Sequence, residues 1–153
     1  MTSQPRSYHD VKQRLFALCD GETDKIAIMA TISSELFHEF DGFDWVGFYR
    51  VTAPDLLKIG PYQGGHGCLT IPFSRGVCGA AARTKQTQLV KNVHDFEGHI
   101  ACSSSTLSEL VIPVFDQAGD LIGVLDIDSD QPDFFTPEDA RDLEEILADL
   151  FAR

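Results

Sequence analysis

The sequence predicts an α+β domain: a central, mostly antiparallel sheet with helices packed on one face and a ligand pocket under loops on the other. Three observations lead there. The apolar period is helical up to about residue 40, becomes the short β-branched and aromatic runs of strands from Trp45, and turns helical again after Thr136. No repeat, low-complexity tract or linker divides the 153 residues, so one domain spanning 1–153 is expected. The apolar fraction of 43% and charged fraction of 24% are ordinary for a chain that buries its own core.

The first helix is expected from about Ser7 to Leu18, with Val11, Leu15 and Leu18 as its apolar stripe. The second runs from Thr23 or Asp24 to about Phe40; Asp24 is its cap, and Ile26, Met29, Ala30, Leu36, Phe37 and Phe40 its buried face. Trp45–Val51 and Leu56–Tyr62 form a hairpin around a Pro-Asp turn. Gly64, Gly65 and Gly67 surround His66 in a loop expected to move easily. Cys68–Phe73 reads as a short strand, Gly76–Lys85 as a short helix and Gln88–Val93 as another strand, followed by an irregular segment from His94 to Thr106. Leu110–Phe115 and Leu121–Ile127 are strong strands joined by a turn at Gln117–Asp120. Thr136 opens the last helix, with Pro137 at its first position and Glu138 and Asp139 where the helix dipole favours acids. Leu143, Ile146, Leu147 and Leu150 give that helix its apolar face.

The net charge of −12 repels phosphate backbones and anionic lipid, and no basic stripe interrupts it. Nucleic acid and membrane are therefore not expected partners. No apolar run is long enough to span a bilayer and the N-terminal segment is polar, so a cytoplasmic location is expected.

In a reducing compartment, clustered cysteines imply catalysis, redox sensing or metal rather than a disulfide framework. Cys68, Cys78 and Cys102 lie ten and twenty-four residues apart, while Cys19 sits far off among apolar helix neighbours and reads as a small buried hydrophobe. No pair makes the short C-x-x-C hook of closed zinc sites, although His66, His94 and His99 are near in sequence, and no metal is expected. Cys102 sits in a polar Ser/Thr loop and Cys68 beside three glycines, placing both within reach of solvent. A thiol on a polar loop reacts as thiolate, and a second on a mobile loop resolves its oxidised form as a disulfide.

A second constellation is acidic. Asp126 and Asp128 are two apart on a strand, so both side chains point to one face. Strand interiors disfavour Asp, and two on one face repel each other unless a cation lies between. If the last two strands pair through the turn at Asp120, Glu109 lies across from them. Three carboxylates near Trp45 or Tyr49 make a pocket for an ammonium-sized cation, and their crowding raises one carboxyl pKa enough to keep a proton donor near neutral pH.

From Trp45 to Asp128 the chain resembles the free methionine-(R)-sulfoxide reductases, stand-alone GAF-domain enzymes. The resemblance rests on WVGFY at Trp45–Tyr49, GPYQG at Gly60–Gly64, IPFSRGVCG at Ile71–Gly79, HDFEGHIAC at His94–Cys102, SELVIPV at Ser108–Val114 and IGVLDIDS at Ile122–Ser129. It implies a GAF-like fold, a thiol-dependent reduction of free methionine-(R)-sulfoxide, no prosthetic cofactor, thioredoxin as external reductant and a homodimer. It further implies that Cys102 attacks the sulfoxide sulfur, that Cys68 resolves the sulfenic acid with Cys78 as alternative or relay, and that Glu109, Asp126 and Asp128 bind the substrate ammonium and protonate the sulfoxide oxygen. Trp45 and Tyr49 would enclose the methyl-sulfoxide end, and backbone N–H groups around Ile100, Ala101 and Cys102 would receive the substrate carboxylate.

Two departures from the family pattern stand out. Gly67 precedes Cys68 where family members often carry Ala, which is expected to loosen the loop, and Ser103 follows Cys102 where an acid is common. The rival reading is a non-catalytic GAF sensor that binds a small ligand or records oxidants through a Cys68–Cys102 disulfide.

Overall fold

Six antiparallel strands in the order β3-β2-β1-β6-β5-β4 make one sheet in the computed structural model, which describes residues 5–100 and 102–153. The strands are β1 (Trp45–Ala53), β2 (Leu56–Gln63), β3 (Thr70–Pro72), β4 (Gln88–Val90), β5 (Ser108–Phe115) and β6 (Leu121–Ser129). The helices are α1 (His9–Leu18), α2 (Lys25–Glu39), α3 (Gly76–Thr84) and α4 (Pro137–Phe151). Among the described residues no helix is long and apolar enough to cross a membrane.

Period-two alternation sorts the central strands onto two faces. Val46 and Phe48 of β1, Leu110, Ile112 and Val114 of β5, and Leu125 and Ile127 of β6 pack with α1, α2 and α4. The intervening Trp45, Tyr49, Val111 and Val124 pack on the other side with Val77, Cys78, Ala81 and Ala82 of α3. The α+β architecture is as expected, with one refinement: three helices share a face, whereas α3 lies on the loop side and becomes part of the pocket's wall.

Helix phases differ from expectation in two places. In α1 the buried positions are Val11, Leu15 and the following Cys19, a spacing of four, which turns Leu18 outward to 61% exposure. In α2, Ile28, Met29, Ile32, Ser33 and Leu36 are buried, while Ile26 is 46% exposed and Ala30 is also exposed. The cause is the start of the helix: Asp24 caps the N–H groups of Ile26 and Ala27, so Ile26 lies in the uncovered first turn. The last helix begins as expected, with Thr136 and Asp139 forming a capping box that spans Pro137.

Asp139 also holds the N-terminal segment. It is buried, accepts a hydrogen bond from the Tyr8 hydroxyl at 2.8 Å, and pairs with Arg6 at 2.8 Å. The Arg6 guanidinium lies 3.9 Å from the Phe134 ring centroid, so its planar charge is covered as well as paired.

Candidate active site

Strand register builds the acidic floor. Glu109 of β5 pairs directly with Asp128 of β6, and Val111 pairs with Asp126, so the two aspartates lie on the α3 side with Glu109 beside them. On the other flank of β6, Trp45 pairs with Asp128 and Gly47 with Asp126. The expected convergence of three carboxylates is present, because a short turn fixes the register of β5 and β6 and a one-residue slip would send every acid to the opposite face.

Glu109 and Asp126 are almost removed from water, and Asp128 is half-buried. Glu109 is 6% and Asp126 4% exposed, and one oxygen on each of Asp126 and Asp128 is buried without a hydrogen-bond partner. Burial, then the charges of Asp126 and Asp128, push the Glu109 carboxyl well above the ordinary carboxylate range. Burial and then the Asp126 charge do the same to Asp128. Asp126 is also raised by burial, but hydrogen bonds from Glu109, Asp128 and Cys78 favour its charged form. Burial and mutual repulsion thus favour the protonated forms of these carboxyls, and two of the floor's oxygens lack a hydrogen-bond partner.

Aromatic rings make the adjoining wall. Trp45 stacks between Tyr49 and Tyr62, with centroid separations of 5.9 and 5.3 Å. Its indole N–H donates to Gly65 O at 2.7 Å, which ties the glycine-rich loop to the sheet. That loop was expected to swing freely; the indole pins it instead. Gly47 is what lets the indole lie along β1, since a Cβ there would stand 2.6 Å from the Trp45 ring and closer still to Tyr62. Gly67 is similarly packed rather than loose: a Cβ would meet the Trp45 ring edge and the Tyr49 hydroxyl at 3.0 Å each.

Over this floor and wall Cys68 and Cys102 form a disulfide, with Cα atoms 5.3 Å apart across 34 residues of sequence. Both are half-buried. The Cys102 amide donates to Ile100 O at 3.0 Å, so that N–H is spent within the loop and the expected carboxylate nest has one donor fewer. Ile100 lends its side chain to the apolar cluster, and Ala101 lies outside the described residues. Cys78 is a free, buried thiol on α3; burial first, then the charges of Asp126, Glu109 and Asp128, push it well above the usual thiol range. A thiol so protonated is a poor nucleophile. Cys19 is buried in the other core, as expected.

One cavity takes in Trp45, Tyr49, Cys78, Ile100, Cys102, Glu109, Asp126 and Asp128 together. His66 and His99, noted in the sequence only as near the cysteines, also line it, as does Thr106. They come from irregular loops that carry no period. His99 was available within HDFEGHIAC; burial and His94 lower its pKa, so it leans neutral over the acids.

Comparison with known proteins gives a consistent picture. A family model described as GAF domain matches residues 22–153. The chain is 41% identical over 143 residues to the free methionine-R-sulfoxide reductase of Escherichia coli (strain K12), covering 94% of this chain and 86% of that one. Its fold matches the reduced form of fRMsr of Staphylococcus aureus with a TM-score of 0.91 at 39% identity, over 99% of this chain and 97% of that one. It also matches free methionine-R-sulfoxide reductase from Neisseria meningitidis in complex with its substrate, with a TM-score of 0.89 at 38% identity over 98% and 92% of the two chains.

Proposed function

The chain belongs to the free methionine-R-sulfoxide reductases of the GAF-domain family, and we propose from that premise that it reduces free methionine-(R)-sulfoxide with Cys102 as nucleophile and Cys68 as resolving thiol. The observation that carries this reading is the Cys68–Cys102 disulfide standing at a cavity floored by Glu109, Asp126 and Asp128.

In the proposed sequence the substrate's ammonium lies over the acidic floor, where the unpartnered oxygens of Asp126 and Asp128 accept its N–H donors. Trp45 and Tyr49 enclose the methyl-sulfoxide end. The Cys102 thiolate attacks the sulfoxide sulfur while Glu109, which retains its proton in this crowded floor, donates to the oxygen. Oxygen passes to Cys102 as sulfenic acid and methionine leaves. The Cys68 thiol then attacks that sulfur, the S–S bond forms and water departs. An external dithiol, thioredoxin in this reading, takes the disulfide back to two thiols. The sum is one sulfoxide and one dithiol converted to methionine, water and a disulfide, with no prosthetic group required. We further infer a single domain acting in the cytoplasm as a homodimer.

An acidic cage also explains a preference for the free amino acid. Methionine inside a polypeptide has no ammonium to offer, and each buried carboxylate oxygen left unpaired costs about 1–3 kcal/mol. The deciding assay supplies racemic free methionine sulfoxide with thioredoxin or dithiothreitol. Consumption should stop at half of the racemate, and a peptide-bound sulfoxide should turn over far more slowly. Complete consumption, no consumption, or equal rates on the peptide would each overturn the reading.

A further inference from the structure

The thiol of Cys78 has no part in the steps above beyond its hydrogen bond to Asp126, yet it sits in unusual company. Its sulfur, a Glu109 carboxylate oxygen and an Asp126 carboxylate oxygen lie within 4.8 Å of one another, and all three residues are buried. The three reach this point from separate elements: α3, β5 and β6. An independent observation points to a ligand here. Asp126, 4% exposed and lining the cavity, keeps one oxygen buried with no partner, as does the neighbouring Asp128. His99, half-buried, also lines this cavity.

We propose that Cys78, Glu109 and Asp126 form a binding site for a thiophilic divalent cation of the zinc class, which occupies the acidic floor in place of the substrate ammonium and so inhibits the reductase reversibly. A thiolate with two carboxylates is a donor set that zinc accepts, at bond lengths near 2.0–2.3 Å reached by small closures of the three side chains. Magnesium and calcium want six or more oxygen ligands and gain nothing from sulfur. Binding displaces protons from Cys78 and from the carboxyls, and a double charge offsets the mutual repulsion of the acids better than one ammonium does. Competition with substrate rests on the reading that the ammonium takes this floor; formation of the site itself does not.

The test uses the oxidised protein, in which the Cys68–Cys102 disulfide removes two thiols from consideration. Titrated with Co²⁺, it should bind one equivalent and develop a thiolate-to-cobalt charge-transfer band, which Zn²⁺ then displaces and Mg²⁺ does not. Cys78→Ser should lose the band, Asp126→Asn should weaken binding by about tenfold or more, and Cys19→Ser should change nothing. Circular dichroism of each variant separates lost binding from lost fold, and Glu109→Gln supplies a second variant should Asp126→Asn misfold. In the reduced enzyme, Zn²⁺ should raise KM for free methionine sulfoxide without lowering kcat, and a chelator should restore it. Absence of the band, its survival in Cys78→Ser, or zinc inhibition that persists in Cys78→Ser would overturn the proposal, the last by placing the metal on Cys68 and Cys102. A reductase that turns over normally yet shows no band defeats this site alone and leaves the proposed activity standing.

Discussion

Trp45 stands directly opposite Asp128 on the paired strands β1 and β6, so the one carboxylate is flanked by an indole on one side and by Glu109 on the other. Such a position strips water from Asp128 while leaving one of its oxygens without a protein partner. Asp128→Asn keeps the shape and removes the negative charge that the carboxyl takes on when it gives up its proton beneath the ammonium. A hydrogen bond to a charged group contributes about 1.5–3 kcal/mol, so KM for the free sulfoxide should rise by roughly tenfold to a hundredfold. Steady-state kinetics check this; an unchanged KM would remove Asp128 from substrate binding.

Glu109 ties stability to pH in a direction opposite to that of a salt-bridged acid. Its folded pKa is raised by burial and by Asp126 and Asp128, whereas in the unfolded chain it titrates in the ordinary carboxylate range. Between those two values the folded state binds more protons, so its contribution is full below the unfolded pKa and is lost as pH rises through the folded one. Glu109→Gln should therefore match wild type near pH 4 and become progressively more stable than it toward neutral and alkaline pH, while losing activity. Thermal unfolding across that range decides; a stability difference that does not grow with pH would contradict the raised pKa.

Much of this was legible in the chain because it rests on local periods. Asp126 and Asp128 share a face by strand alternation, and the short turn at Asp116–Asp120 sets Glu109 against them; Asp116 closes that turn by accepting from the N–H groups of Ala118 and Asp120. Helix phase was less legible: Ile26 and Ile28 are equally apolar, and only the cap at Asp24 decides which is covered. His66, His99 and Thr106 reach the cavity from loops whose path depends on distant packing. Arg6 and Asp139 meet across 133 residues, a pairing no local pattern announces.

Gly47 carries the aromatic wall. Adding a methyl group drives it into Trp45 and Tyr62, and overpacking of this kind costs about 1–3 kcal/mol. The indole that moves is the one bonded to Gly65 O and stacked on Tyr49, so the pocket shifts with it. Gly47→Ala should lower kcat/KM by roughly a hundredfold, as an ångström-scale misplacement does. Near-normal kinetics would mean that the wall position is not set by Trp45.

Asp139 offers a contrast on the far face of the sheet. It completes the capping box of α4, accepts from Tyr8 and pairs with Arg6. Asp139→Ala strands these donors and should destabilise the fold by about 2–4 kcal/mol, the sum expected for a cap and a buried charged hydrogen bond. Its kinetic constants at low temperature should stay near wild type, since nothing in the cavity touches it. Denaturant unfolding beside an activity assay tests both halves; lost activity without lost stability would refute the separation.

The disulfide makes the order of thiol chemistry testable. Its Cα separation of 5.3 Å is within the ordinary range for an unforced bridge, so the loop bearing Cys68 needs no large rearrangement to reach an oxidised Cys102. Cys102→Ser should abolish methionine release altogether. Cys68→Ser should release about one equivalent of methionine per chain and then stall as a sulfenic acid, because recycling by an external dithiol needs the disulfide. Cys78, buried and held in its protonated form beside Asp126, is in a poor position to substitute. Single-turnover methionine release, combined with mass spectrometry of the stalled protein, reads each step. Sustained turnover by Cys68→Ser would transfer the resolving role to Cys78, and retained activity in Cys102→Ser would move the nucleophile itself.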